Sequence, residues 1–226
     1  MKLKDLGWNS FFHAHYLKQK NDHLIPARVS FQGKGIYRLL SENGELLAET
    51  AGSISYGSAE PAGPPVCGDW VLADNPSGNN RILIRFLFPR RSSFSRKQAG
   101  TAINRQVIAS NIDTICLVSG LDSDFNPRRI ERYLAIARES GANPVIILNK
   151  ADVCTDIPSR LTEVRSVAPG IPVFAVSAIE DRGLEHVLDY VEKGQTIALL
   201  GSSGVGKSSI LNRLLGRNVQ DVRDTD

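Results

Sequence analysis

A small β-barrel followed by a parallel α/β sheet is the architecture the sequence predicts, and three observations carry it. Short β-like runs punctuated by turns occupy residues 25–88. Apolar strands alternate with amphipathic helices from Ile112 onward, and a glycine-rich loop directly follows the last of those strands. A chain of 226 residues allows one large domain or two small ones. With 42% hydrophobic and 23% charged residues, the disordered, collagenous and disulfide-scaffold classes are excluded. Cys67, Cys116 and Cys154 are too far apart for a metal clip and leave one over from any pairing, which suits a reduced, cytoplasmic chain. The longest apolar runs, such as Val145–Leu148 and Ile197–Leu200, are strand-sized, and the start of the chain has no apolar core resembling a signal peptide. No membrane association is expected.

Residues 1–24 read as a helical segment, with Asn9 as N-cap and Phe11, Phe12, His15 and Tyr16 at near-helical spacing. His13, His15 and His23 have no Cys or acidic cluster beside them, so packing or surface roles are expected in place of a metal site. Five strands follow, at Ala27–Phe31, Ile36–Leu40, Glu45–Glu49, Asp69–Ala73 and Arg81–Phe88. Asn43-Gly44 between two of them signals a hairpin, because a type I′ turn needs positive φ at both central residues. Five short strands in so few residues point to an OB-like barrel over 25–89, with Ala51–Gly68 as a long exposed loop. Residues 90–105 read as a basic linker.

Charge is uneven along this half. From Asn75 to Ile112 there are seven basic residues, Arg81, Arg85, Arg90, Arg91, Arg96, Lys97 and Arg105, and no Asp or Glu. Such a run is either the footprint of a phosphate backbone, which Arg90, Arg91, Arg96 and Lys97 would contact, or a solvated strand edge.

Residues 106–226 alternate strand and helix. Strands are expected at Ile112–Val118, Val145–Leu148, Val173–Val176 and Thr196–Leu200, and helices at Pro127–Ser140, Ser159–Val167, Leu184–Val191 and Lys207–Leu215. Gly141 stands where the first of these helices should stop. In a parallel sheet wound this way, ligands gather at the carboxyl ends of the strands, and the motifs fall there.

Gly201-Ser202-Ser203-Gly204-Val205-Gly206-Lys207-Ser208 fits the P-loop pattern, with Ser209 completing the segment. Small residues are needed because successive backbone N–H groups must curl around a phosphate. Lys207 would neutralise the β- and γ-phosphates, Ser208 would ligate Mg²⁺, and the following helix would point its positive end at the anion. Asn149-Lys150-Ala151-Asp152 follows a strand without a gap. The Asp152 carboxylate can accept from guanine N1–H and the 2-amino group, whereas adenine would leave it unpaired. Asn149 would brace the loop and reach the base or the phosphate loop, and the stem of Lys150 would cover a face of the base. Ser177-Ala178, after the next strand, offers a backbone N–H to guanine O6.

Together these segments describe a guanine-nucleotide site in an unusual order, since the base-reading segment precedes the P-loop by 49 positions. That is the order of a circularly permuted GTPase, which is tolerable because domain termini usually lie at the surface. At this point the chain closely resembles the RsgA (YjeQ, EngC) family of small-ribosomal-subunit biogenesis GTPases. The resemblance rests on Gly68-Asp69-Trp70-Val71, Arg90-Arg91-Ser92, Ser95-Arg96, Asn149–Asp152, Ser177-Ala178 and Gly201–Ser209. It implies an OB-fold, a permuted G domain, GTP/GDP and Mg²⁺ as ligands, the small subunit and its rRNA as partners, a cytoplasmic monomer, and a zinc-binding domain C-terminal to the G domain. No switch threonine, Asp-x-x-Gly segment or Cys/His cluster is recognised after Lys207, and Thr225 is a poor candidate without a following strand. The chain is therefore expected to be truncated and to bind nucleotide with weak or no hydrolysis, with no water-activating residue assigned and Lys207 limited to stabilising phosphate. Two other classes stay open: a P-loop ATPase or kinase, and a non-hydrolysing RNA-binding module whose G domain is a scaffold.

Overall fold

A computed structural model describes residues 1–19, 21–57, 63–74, 82–97 and 105–216, and the chain divides into two compact units. The first comprises Met1–Ile112 with Lys193–Thr196, and the second Asp113–Glu192 with Ile197–Asp226. Arg81 and Thr225, and the side chains of Arg96, Lys97 and Arg105, lie outside the described residues.

In the first unit a 3-10 turn, Leu3–Leu6, ends at Gly7 with φ 92°, and α1 runs Ser10–Gln19. The Asn9 side-chain oxygen accepts from the N–H groups of Phe11 (3.0 Å) and Phe12 (3.4 Å), satisfying donors that the first helical turn leaves open. The strands are β1 (Leu24–Gln32), β2 (Tyr37–Ser41), β3 (Gly44–Tyr56), β4 (Trp70–Asp74) and β5 (Ile82–Leu87). They close into a barrel in the order β1-β2-β3-β5-β4, and β3 with β5 is the one parallel pair. This is the OB-like arrangement. Alternate residues Ala27, Val29, Tyr37, Leu39, Val71 and Ala73 fill its core. The opposite face of β4 carries Trp70 and Leu72 into a second cluster with Leu6, Phe12, Phe86 and Phe88, where Trp8 stacks edge-on to Trp70 at 4.8 Å. Strand β4 is thus buried on both faces, and α1 covers one flank of the barrel.

Three expectations are corrected here. The hairpin after β2 is not type I′: Ser41 pairs with Gly44, and positive φ falls on Gly44 (98°) but not on Asn43. The Ser41 hydroxyl accepts the Asn43 N–H (3.2 Å) and donates to the Gly44 carbonyl (3.0 Å), which holds the turn instead. Strand β3 continues through Ala51–Tyr56, where a loop was expected, because Ser55 and Tyr56 pair with Phe86 and Leu87 of β5. The segment read as a linker contains β6 (Ser93–Lys97), which pairs antiparallel with β7 (Arg105–Ser110).

The second unit holds the parallel sheet, in the order β10-β9-β8-β11. Its strands are β8 (Thr114–Gly120), β9 (Asn143–Asn149), β10 (Val173–Ala175) and β11 (Ile197–Leu200), connected through α2 (Pro127–Ser140), α3 (Ile157–Val167) and α4 (Glu185–Leu188) and followed by α5 (Lys207–Leu214). All seven residues of β8 are buried, which explains its uninterrupted apolar run. Helix α2 has the limits its sequence announces. Asn126 caps it, Pro127 opens it, Ile130, Leu134 and Ala137 face inward, and Gly141 ends it in the left-handed conformation (φ 82°). Among the described residues no helix is long and apolar enough to cross a membrane.

Candidate nucleotide-binding site

The carboxyl ends of β8, β9, β10 and β11 each feed a loop that carries chemistry, and the four loops are tied together by hydrogen bonds. The loop after β11 is the segment expected to cradle phosphate. Gly201 lies so near the Val118 carbonyl, and Gly206 so near the Asn149 side chain, that a Cβ at either position would collide. Gly204 (φ 79°) and Gly206 (φ 89°) take left-handed backbone that other residues adopt at a cost. Val205 is buried, Ser203 is exposed, and Ser208 and Ser209 sit half-buried in the first turn of α5. Gly206 is the N-cap of α5, so the positive end of the helix dipole lies at the loop, where an anion is favoured.

Lys207 Nζ donates to the main-chain carbonyls of Gly201 (3.1 Å) and Ser202 (2.6 Å), so the ammonium closes over its own loop. Burial lowers its pKa from the ordinary 10.5. A phosphate in the cradle would exchange those neutral carbonyls for a full negative charge.

The loop after β9 begins with Asn149, 3% exposed. Its Nδ2 donates to the Val205 carbonyl (2.9 Å) and its Oδ1 accepts the Ala178 N–H (3.1 Å), joining the phosphate loop to the Ser177-Ala178 loop. The bracing role expected of Asn149 fits these contacts. The Ala178 N–H, expected to face guanine O6, donates here to Asn149 Oδ1. Lys150 has φ 66°, uncommon for a side-chain-bearing residue, and Ala151 follows with its N–H on the Val176 carbonyl (3.0 Å). The Asp152 carboxylate accepts the Ser177 hydroxyl at 2.5 Å. Ser177 and Ala178 are buried, and Asp152 is half-exposed beside them.

Several residues here carried no sequence motif. In the loop after β8, Asp122 accepts Lys150 Nζ at 2.6 Å. Burial disfavours the Asp122 carboxylate, but hydrogen bonds from Lys150 and the Asp124 N–H outweigh it and hold its pKa below the usual 3.8. Asp124 accepts from Arg129 Nη1 (2.5 Å) and from the Ser202 hydroxyl (2.9 Å), and these two contacts lower its pKa. From α5, Arg213 Nε and Nη2 donate to the Ala178 (3.0 Å) and Ile179 (3.3 Å) carbonyls and fix the Ser-Ala loop. The position of Asp122 and Asp124 at a strand's carboxyl end was the available signal; Arg213 had none.

The expected RNA contacts belong to the first unit and fare differently. Arg90 is not a solvated cation. Its side chain is 9% exposed and its Nε and Nη2 reach the Asp69 carboxylate at 2.8 and 2.7 Å. Asp69, fully buried, also accepts the Ser110 hydroxyl (2.5 Å) and the Val66 N–H (2.8 Å). Arg91 is exposed, while Arg96 and Lys97 fall among the side chains not described. Arg85 pairs with Asp74 at 3.0 Å. Among the described residues no group of three or more His, Cys, Asp or Glu is placed to hold a metal, and Cys67, Cys116 and Cys154 are free thiols.

An OB-like barrel preceding a parallel sheet, with the Asn149–Asp152 loop ahead of the phosphate loop in the chain, defines the class: a circularly permuted P-loop GTPase fold. Solved structures share it, and two illustrate the likeness. One is YjeQ from Thermotoga maritima, with a TM-score of 0.64 and 21% identity over 84% of this chain and 65% of that one. The other is YloQ, described as a circularly permuted GTPase, with a TM-score of 0.61 and 19% identity over 85% and 64%. The chain belongs to the RsgA GTPase family, whose model matches residues 87–226. Relatives named small ribosomal subunit biogenesis GTPase RsgA include those of Syntrophotalea carbinolica, 43% identical over 95% of this chain, and Opitutus terrae, 42% identical over 98%. The chain spans 60% and 63% of the lengths of those two proteins.

Proposed function

We propose that the chain binds GTP and GDP with Mg²⁺ and serves GTP hydrolysis in late maturation of the small ribosomal subunit, acting in the cytoplasm as a monomer. The observation that carries the reading is Asn149, whose amide spans the phosphate loop and the Ser177-Ala178 loop while Asp152 stands beside Ser177. That arrangement suits a ligand with a guanine at one end and phosphates at the other. Asn149, Lys150, Ala151, Asp152, Ser177 and Ala178 would line the base end, and Gly201 through Ser209 the phosphate end. The cradle fits a phosphate, since the positions of Gly201 and Gly206 leave no room for side chains. Ser208 would hold Mg²⁺ by its hydroxyl, with phosphate oxygens and water supplying the remaining ligands; such sites need no all-protein cage. The barrel, 25–89, would contact rRNA, with Arg91 as an exposed basic residue on the segment that follows it.

Asp152→Asn tests the base reader. The amide reverses one hydrogen-bond polarity, so GTP affinity should fall and xanthosine-triphosphate affinity should rise, each by about tenfold or more. Unchanged GTP affinity in the variant, or ATP binding at least as tight as GTP in the parent chain, overturns the assignment.

A further inference from the structure

The loop between β8 and α2 touches both ends of the nucleotide site although it belongs to neither motif. Its base-side contact is Asp122 on Lys150 Nζ, at 2.6 Å. Its phosphate-side contact is a triangle: the Ser202 hydroxyl donates to Asp124 (2.9 Å) and accepts from Arg129 Nη1 (2.9 Å), which itself reaches Asp124 at 2.5 Å. The Asp124 N–H donates to Asp122 Oδ1 (3.1 Å), and the Leu121 N–H to the Asn149 carbonyl (2.8 Å), so the loop forms one connected piece. A Cβ at Gly120 would meet the Asp122 carboxylate at 2.6 Å and push it aside.

We propose that Asp122, Asp124 and Arg129 are positioning residues that preset the spacing between base and phosphates for a guanosine di- or triphosphate, Asp122 acting through Lys150 and the Asp124–Arg129 pair through Ser202. This rests on the nucleotide-site reading above. The argument turns on Ser202, which is held twice. Lys207 Nζ grips its carbonyl at 2.6 Å, and the triangle grips its hydroxyl. When a phosphate recruits the Lys207 ammonium, the first grip is given up and the triangle keeps the phosphate loop in register. As a surface ion pair alone, Asp124–Arg129 would contribute little, since its side chains are 41% and 24% exposed. A positioning role instead shows itself as a dependence on which part of the ligand is present.

The experiment compares affinities of the full chain for GDP and GMP, by competition with a fluorescent GDP, alongside thermal midpoints of the ligand-free variants. Ser202→Ala and Asp124→Asn should each weaken GDP about tenfold while GMP changes less than about twofold, and the double variant should be no weaker than either single one. Asp122→Asn should weaken GDP and GMP alike, about fivefold to tenfold. Ser202→Ala removes only a hydroxyl and decides the matter should an Asp124 variant fail to fold. Unchanged GDP affinity in Ser202→Ala, or equal losses of GDP and GMP in it, overturns the inference. A parent chain with no guanine preference overturns the site reading itself, and the two failures are thereby distinct.

Discussion

Replacing Arg90 by Met separates an internal role from an RNA-binding one. Asp69 is fully buried, and Arg90, 9% exposed, supplies two of the hydrogen bonds to its carboxylate. Arg90→Met leaves that charge with the Ser110 hydroxyl and the Val66 N–H as its named partners. Removing one member of a buried pair costs about 3–5 kcal/mol, because the surviving charge is stranded away from water. For a unit of this size that lowers the thermal midpoint by about 12–20 °C, at roughly 4 °C per kcal/mol. The assay is urea unfolding followed by tryptophan fluorescence. Both tryptophans of the chain, Trp8 and Trp70, lie in one cluster of the first unit, so the signal reports on that unit alone. Adding Asp69→Leu to Arg90→Met should recover at least about half of the loss, since an apolar pair often matches a buried ion pair. In parallel, RNA affinity should keep its salt slope; a phosphate contact would remove about one unit. A loss below about 1 kcal/mol together with a reduced slope would refute the reasoning and restore Arg90 to the RNA face.

Two further outcomes are expected. Asn149→Ala strands the Val205 carbonyl and the Ala178 N–H, both buried with it, and should cost the second unit about 2–4 kcal/mol in a calorimetric unfolding scan; a loss under about 1 kcal/mol would mean the bridge is dispensable. For Lys207 the sign follows from burial. Its folded pKa lies below 10.5, so between the two values the unfolded chain holds more protons and stability rises with pH. A bound phosphate favours the ammonium and raises that pKa, so GDP binding at alkaline pH should take up a proton. The measurement is a binding heat that varies with the ionisation enthalpy of the buffer, and heats independent of buffer would contradict it.

What the sequence announced, and what it concealed, divides by the reach of the interactions. Helix α2 was legible to the residue because its apolar spacing and the stop at Gly141 are local to it. The strand–loop–helix around Gly201–Ser208 was equally legible, because strand, glycines, Lys207 and Ser208 are contiguous. The second half of β3 was not, since its polar residues are held by parallel pairing with β5 some thirty residues away. Arg90 misled for a similar reason. Its run contains no acid, yet Asp69 and Asp74 stand just ahead of it in the chain and fold back onto Arg90 and Arg85. In the candidate site, Asp122, Asp124 and Arg213 work through contacts 28 to 78 positions apart in sequence and carry no local pattern.

Those separations bear on synthesis. The triangle at Ser202 joins positions 73 and 78 residues apart, and Asn149 meets Val205 across 56. A ribosome making this chain releases the base-reading segment 49 positions before the phosphate loop. At about 5–20 residues per second the interval is roughly 2–10 s. During it Asn149 lacks the Val205 carbonyl and Asp124 lacks Ser202. In a protein with the phosphate loop first, a nascent chain meets phosphates before it can test the base. Here the segment proposed to read guanine is translated first, and the loop proposed to hold the phosphates follows it.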